Sequence, residues 1–320
     1  MSPSAPSALD RQALGAAVVT HYPDADFGGR LTAIAREIGP LVVVDNTTGP
    51  AAQDGIRELC SALECTYIAL GTNRGLAAAL NHAFAHLAER GLTWAIAFDQ
   101  DSTPAAGFGA SLMAATTRRG DAISPVIVGA NWTDEARPGR PSRHLRRHPV
   151  IPLLFQRVVA HHDLATVTCV ITSGSLFHLP TLSRLGGFGE ELFLDLVDTD
   201  YCLRARRAGH AIGVAANARL LHRRGAKRPV PRLGRTWWPA FIPPWRLREL
   251  FRNRMRLFRR HGWHAPHWVL FEAIFTTKNL VEIVFLEDRK LAKLAACVRG
   301  TWDGLLGRAV VPPPPPAPTR

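Results

Sequence analysis

The 320-residue chain is short of the residues that make covalent or thiolate frameworks. Its five cysteines, Cys60, Cys65, Cys169, Cys202 and Cys297, are odd in number and never fall in CxxC spacing. That pattern argues against a disulfide framework or a cysteine zinc site and leads to the expectation of a reducing, cytoplasmic setting. G-x-x-x-x-G-K-[S/T] and G-x-G-x-x-G are both missing, which removes the usual support for nucleoside triphosphate hydrolysis and dinucleotide redox chemistry. Long apolar runs are missing too. "ALGAAVV", Ala13 to Val19, follows no basic n-region and is too short to span a bilayer, so it reads as a first strand. "WVLFEAIFTTKNLVEIVFLE", from Trp268, is broken by Glu272, Lys278, Asn279 and Glu282 and reads as an amphipathic helix.

Acid is scarce in one region above all. From Arg204 to Arg260 there are sixteen arginines and one lysine against a single acid, Glu249, in a chain of net charge +13. An anionic partner follows from that sign, whether nucleic acid, membrane surface or diphosphate. Nucleic acid is disfavoured, because aromatic and basic residues do not interleave along strands and no recognised binding module is present.

What the chain does have is alternation. Apolar runs at Gly15–Thr20, Leu41–Asn46, Cys65–Leu70, Trp94–Asp99 and Asp121–Ala130 are separated by helix-period segments. In "GLAAALNHAFAHLAER", Leu76, Leu80, Phe84 and Leu87 share one face. This pattern predicts an α/β fold with a mostly parallel, Rossmann-like sheet flanked by helices. Two further strand-like runs, "TVTCVITSGSLFHL" and "AIGVAANARLLH", follow a polar, Arg/Pro-rich loop that begins at Asn131.

Several strands end in polar residues, at the edge where open α/β sheets bind ligands. Asp45 ends "VVVD", where it can also form a turn through its own side chain. Asp99 and Asp101 end "AFDQD" and can converge on Mg²⁺ or Mn²⁺. Asn73 in "GTNRGLAAALN" can cap the next helix, while Gly75 allows close approach. Asp195, Asp198 and Asp200 crowd into "LFLDLVDTDYCLRARRAG" ahead of a helix; one can cap it, and another can be a general base if its pKa is raised. His222 closes "ARLLH" and can complete a metal site, with Arg223 and Arg224 on phosphate.

The composition changes at about Pro229, and five of the eight tryptophans fall between Trp237 and Trp268. Leu247, Leu250, Phe251, Met255 and Phe258 form an apolar stripe opposite Arg248, Arg252, Arg256, Arg259 and Arg260, the pattern of a basic amphipathic helix. The expected organisation is a catalytic domain at 1–228, a basic, Trp-rich helical extension at 229–311 and a polyproline tail at 312–320.

Taken in order, Asp45, the segment Gly71–Asn81, "DQD", "TSGSLF", "GGFGEELFLDLVDTDYCLRARRAG" and "ARLLHRRG" resemble the family 2 inverting glycosyltransferases of GT-A fold. The resemblance spans Gly15 to Gly225 and is closest to the bacterial rhamnosyltransferases, through "FDQDS", "VDTDYCLR" and the tail "LEDRKLAKLAACVRGTWDGLLGR". It implies transfer of L-rhamnose from dTDP-L-rhamnose to a lipid-linked saccharide acceptor in bacterial cell-surface polysaccharide synthesis. By the same resemblance Asp45, Asn73, Asp99 and Arg204 serve the donor, and Asp101 and His222 hold Mg²⁺ or Mn²⁺. Asp198 is the catalytic base, with Asp195 and Asp200 as alternates. Val197 stands where the family usually has an acid.

Arginine for phosphate and tryptophan for a membrane interface together suggest an anionic membrane surface, hence an enzyme peripheral on the inner face of the plasma membrane. The rival readings are a galactofuranosyl or hexosyl transferase using a UDP sugar and, because of Val197, an inactive anion-binding scaffold.

Overall fold

The sheet is made of strands whose residues are buried on both faces, which requires layers on each side. In the computed structural model, residues 13–117, 124–135, 139–140, 142–161, 164–223, 228–232 and 234–309 are described. The 312–320 tail and Arg224 lie outside them. Strands β1 (Leu14–Thr20), β2 (Leu41–Asp45), β3 (Thr66–Ala69) and β4 (Trp94–Asp99) are parallel neighbours in the order β3-β2-β1-β4. The sheet continues through β10 (Ser175–His178), β6 (Pro125–Asp134), β11 (Ala211–His222) and β5 (Ser102–Pro104). Strand β10 runs antiparallel to both β4 and β6, and β5 runs antiparallel to β11. Strand β9 (Leu164–Thr166) pairs with β11, while β7 (His144–Arg147) and β8 (Phe155–Val158) form a separate hairpin.

Alternate strand residues point to opposite faces, so the core divides in two. Ala17, Val19, Val42, Val44 and Ala97 pack with Leu80, Phe84 and Leu87 of α3 (Gly75–Glu89) and with Tyr201 and Leu203 of α6 (Val197–Arg207). Ala16, Val18, Val43, Ile96 and Phe98 pack with Leu31 and Ile34 of α1 (Phe27–Glu37), Ile56 of α2 (Pro50–Ala62) and Leu112 of α4 (Phe108–Ala114). Helix α5 (Leu179–Arg184) follows β10.

Two expected strands differ. "TVTCVITSGSLFHL" is strand only at its ends, in β9 and β10, because the chain must cross from the edge of β11 to the centre of the sheet between them. The run predicted from Asp121 begins at Pro125, with 121–123 outside the described residues, and extends into the expected loop as far as Asp134.

The larger difference is in helix α7 (Pro244–His261). Its arginine face is engaged by partners within the protein: Arg252 is buried, and Arg248, Arg256, Arg259 and Arg260, partly exposed, are each bonded to neighbouring elements. Arg252 is 2% exposed and bonded to Glu249 and Asn253, while Arg248 is paired with Asp303 at 2.7 Å. Arg256 and Arg259 donate to backbone carbonyls of Gly307, Arg308 and Leu305, and Arg260 reaches Asp200 and Glu191. Helix α9 (Lys290–Leu305) covers this face, and Gly300 and Gly304 are what let it approach. A Cβ on either would collide with the carbonyl oxygens of Arg248 and Arg252. Helix α8 (Pro266–Leu286) lies between them in sequence, and among the described residues no helix is long and apolar enough to cross a membrane.

Candidate active site at the carboxyl edge of the sheet

Asp99 ends β4 and Asp101 lies in the two-residue turn before β5, and this turn brings the two carboxylates to one spot. Gln100, between them, turns to the other neighbour: its Oε1 accepts from Thr20 Oγ1 at 3.0 Å and from His21 N at 2.7 Å. Arg30 Nε donates to the Gln100 carbonyl at 2.8 Å. The residue between the two acids is thus clamped to the end of β1, which holds both acids in place.

His222 reaches the same spot from the end of β11. Its Nδ1 lies 3.2 Å from Asp101 Oδ1 and 2.9 Å from Ser102 Oγ, and its Nε2 lies 3.9 Å from Asp99 Oδ2. One ligand atom from each of Asp99, Asp101 and His222 falls within 4.8 Å of the others. Asp101 Oδ1 is buried without a hydrogen bond, an acceptor of the kind a hard cation satisfies. Two carboxylates and an imidazole therefore fit Mg²⁺ or Mn²⁺.

The segment Thr172–Ser173, between β9 and β10, ties this cluster to the candidate base. Ser173 Oγ accepts from Asp99 N at 3.1 Å and sits 2.6 Å from Ser102 Oγ. One residue earlier, Thr172 N donates to Asp198 Oδ2 at 3.2 Å, while Asp198 Oδ1 accepts from Thr199 N at 2.6 Å. Burial raises the pKa of Asp198, with these backbone donors opposing the rise and Asp195 adding to it. Burial also pushes Asp99 up to about 6, Asp101 and Asp198 adding to the effect and His222 and Arg246 opposing it.

The other acids of this segment are committed elsewhere. Asp200 is fully buried and bonded to Arg204 Nε at 2.8 Å, Arg260 Nη1 at 2.9 Å and His261 Nε2 at 2.9 Å. Burial alone would raise its pKa, but these three partners outweigh it and hold it down at about 2. A group so placed is a fixed anion and not a proton acceptor near neutral pH. Asp195 is held bidentate by Arg246 at 2.9 and 3.0 Å. Arg204, expected at the donor, instead donates to Asp200 and to the carbonyls of Leu185 and Gly187, each at 2.5 Å, so it clamps the Gly186–Gly187 turn. Arg223, expected on phosphate, pairs with Asp24 at 3.2 Å.

On the nucleotide side, Asp45 is buried at the end of β2, its Oδ1 accepting from Thr47 N at 2.8 Å and its Oδ2 from Tyr67 Oη at 2.9 Å. Asn73 accepts from Gly75 N at 3.0 Å and lies 3.2 Å from His21 Nε2. It therefore turns the chain into α3 while Arg74 occupies the N-cap position. Gly75 has φ +86°, and a Cβ there would stand 2.6 Å from the Phe193 carbonyl, so the loop ahead of α6 rests on the start of α3. His21, Gln100, Ser173 and Arg246 escaped the sequence reading. His21 alone carried a signal, being a polar residue just past the end of a buried strand.

Residues 41–182 match the family described as Glycosyl transferase family 2. The chain is 25% identical to the dTDP-rhamnosyl transferase RfbF of Shigella flexneri, over 91% of this chain and 95% of that protein. Among solved structures it is similar to S. aureus TarS 1–349 in complex with UDP-GlcNAc, with a TM-score of 0.55 and 13% identity over 88% of this chain and 79% of that one. It is also similar to GalNAc-T7 with UDP, GalNAc and Mn²⁺, with a TM-score of 0.55 and 11% identity over 77% of this chain but only 47% of that one. Residues 41–182 thus match a family 2 glycosyltransferase domain, on a GT-A-like sheet with an acidic cluster at its edge, and the chain is similar in sequence to a rhamnosyltransferase over 91% of its length.

Proposed function

We propose that the protein is an inverting, divalent-metal-dependent rhamnosyltransferase that moves L-rhamnose from dTDP-L-rhamnose to a lipid-linked saccharide at the cytoplasmic face of a bacterial membrane. The observation that carries the proposal is the convergence of Asp99, Asp101 and His222 at the sheet edge, tied through Thr172–Ser173 to a carboxylate whose pKa is raised. Similarity to RfbF over nearly the whole chain supports the donor. The solved TarS complex, which contains UDP-GlcNAc, keeps a UDP sugar as the second reading.

In this reading Asp45 and Asn73 receive the nucleoside, and Asp99 contacts the donor. Asp101 and His222 hold Mg²⁺ or Mn²⁺, which when bound offsets the negative charge of the diphosphate. Asp198 takes the proton of an acceptor hydroxyl as that oxygen bonds to the anomeric carbon. The bond from that carbon to the diphosphate breaks, the nucleoside diphosphate leaves with the electron pair, and the configuration inverts. Arg246, held on Asp195, sets a positive charge that opposes the rise in the pKa of Asp99.

The test is donor turnover with dTDP-L-rhamnose and a panel of UDP sugars in the presence of Mg²⁺ or Mn²⁺. Turnover of the dTDP sugar alone is expected, and turnover of UDP sugars alone would replace the rhamnosyl reading. Asp101→Ala should abolish metal-stimulated turnover while Asp99→Asn mainly weakens donor binding. Equal loss of metal dependence in both would overturn that division.

A further inference from the structure

Helix α8 is amphipathic with its polarity reversed. Its inward face carries Glu272, Asn279 and Glu282 beside Trp268 and Ile283, with Glu272 in a buried pair with Arg254 at 2.8 Å. Its outward stripe is Ile274, Val281, Val284 and Phe285, spaced i, i+7, i+10 and i+11, with Ile274 54% and Phe285 56% exposed. Helix α9, packed on its neighbours through Ala296 and Cys297, repeats the pattern. Leu291, Val298, Trp302 and Leu305 lie at i, i+7, i+11 and i+14 and point outward, Leu291 85% and Trp302 58% exposed. A helix facing water on its outer side would bury these residues and expose the acids.

The charge around these stripes is of one sign. All six acids between residues 229 and 309, Glu249, Glu272, Glu282, Glu287, Asp288 and Asp303, are ion-paired within the helical extension. Exposed cations remain at the stripes themselves. Arg289 and Lys290 stand at the α8–α9 junction, Arg299 follows Val298, and Arg232 donates to the Phe285 carbonyl. The arginines of α7, by contrast, are bonded to carboxylates and backbone carbonyls of neighbouring elements, even where they are partly exposed.

We infer that the outward faces of α8 and α9 form a docking surface for a lipid bilayer bearing anionic headgroups. Apolar side chains with an exposed Trp suit the acyl boundary, and the cations beside them suit phosphates at the headgroup level. A second copy of the chain suits the surface poorly, since a two-fold contact would bring two sets of like-charged side chains together. The inference deepens the proposed function, resting on it for the acceptor's place in the membrane, and moves the contact from the basic helix α7 to α8 and α9.

The test is co-sedimentation of the full chain with phosphatidylcholine vesicles, with and without phosphatidylglycerol. The chain should bind the anionic vesicles and be released by salt. The triple variant Ile274→Glu/Val281→Glu/Phe285→Glu should bind at least about tenfold more weakly, and so should Lys290→Glu/Arg299→Glu, both with donor turnover unchanged. Binding undiminished in both variants would overturn the inference, as would a wild-type dimer that the triple variant splits while neither protein binds vesicles. Transfer to a lipid-linked acceptor in detergent micelles is read separately. Failure there with vesicle binding intact removes the acceptor reading and leaves the surface standing.

Discussion

Asp99, Asp101 and Asp198 stand in one part of the site with few cations to match them, whereas Asp195 and Asp200, within three residues of Asp198, are each saturated by arginine. The first set pairs with His222 or with hydrogen-bond donors of the neighbouring chain, and burial, with the neighbouring acids adding to it, pushes Asp99 up to about 6 and raises Asp198. In the second set, Asp195 has both oxygens on Arg246, and Asp200 has Arg204, Arg260 and His261. Carboxylates of the same type thus take different roles through the partners that surround them. Unmatched acids have capacity left for a proton or a cation, while matched ones tie elements together. Asp200 joins α6 to α7, and Asp195 anchors the start of α7, so α7 holds the first turn of α6 that presents Asp198.

The sharpest way to break this comparison is to exchange the two kinds of acid. Asp198→Asn keeps one oxygen, for Thr172 N or Thr199 N but not both, and cannot take a proton. It should lower kcat by ~10²–10⁴-fold, about 3–5 kcal/mol of barrier, with donor affinity and thermal stability near wild type. Steady-state kinetics and calorimetric donor binding check this, and an unchanged kcat would remove Asp198 as the base. Asp200→Asn should do the reverse. Removing a buried charge while leaving its cations costs roughly 3–5 kcal/mol. The unfolding midpoint in urea should fall steeply, and any loss of activity should follow the folded fraction.

This contrast also marks how far the sequence could be read. The sheet was legible because its strands are continuous apolar runs ending in acids, and Asp45, Asp99, Asp101 and His222 were legible as the polar residues at those ends. The partners of Asp195 and Asp200 were not. Arg246 lies 51 residues from Asp195 and Arg260 lies 60 from Asp200, and no local spacing records a pair closed by tertiary packing. Arg204 shows the opposite error, since its place four residues after Asp200 on α6 reads equally as a ligand contact and as the i, i+4 pair it makes. The orientation of α8 was hidden for a related reason. Periodicity says which residues share a face, but only the buried Arg254 reveals that the acidic face of α8 turns inward.

The smallest effect expected from the comparison is in the acid stability of the fold. Asp200 is held at about 2 in the folded chain, below its ordinary 3.8. A depressed carboxylate contributes stability that is fully present above its unfolded pKa and lost as pH falls through its folded one. The window is therefore from about pH 4 down to about pH 2, and the contribution lost across it is about 2 kcal/mol. Urea unfolding at pH 5, 3.5 and 2.5 checks this as a difference between wild type and Asp200→Asn, which removes the effect of all other carboxylates. The gap between the two proteins should narrow as pH falls. A gap of constant width would mean that Asp200 contributes through shape and hydrogen bonding, and that its charge, the feature that sets it apart from Asp198, stabilises nothing.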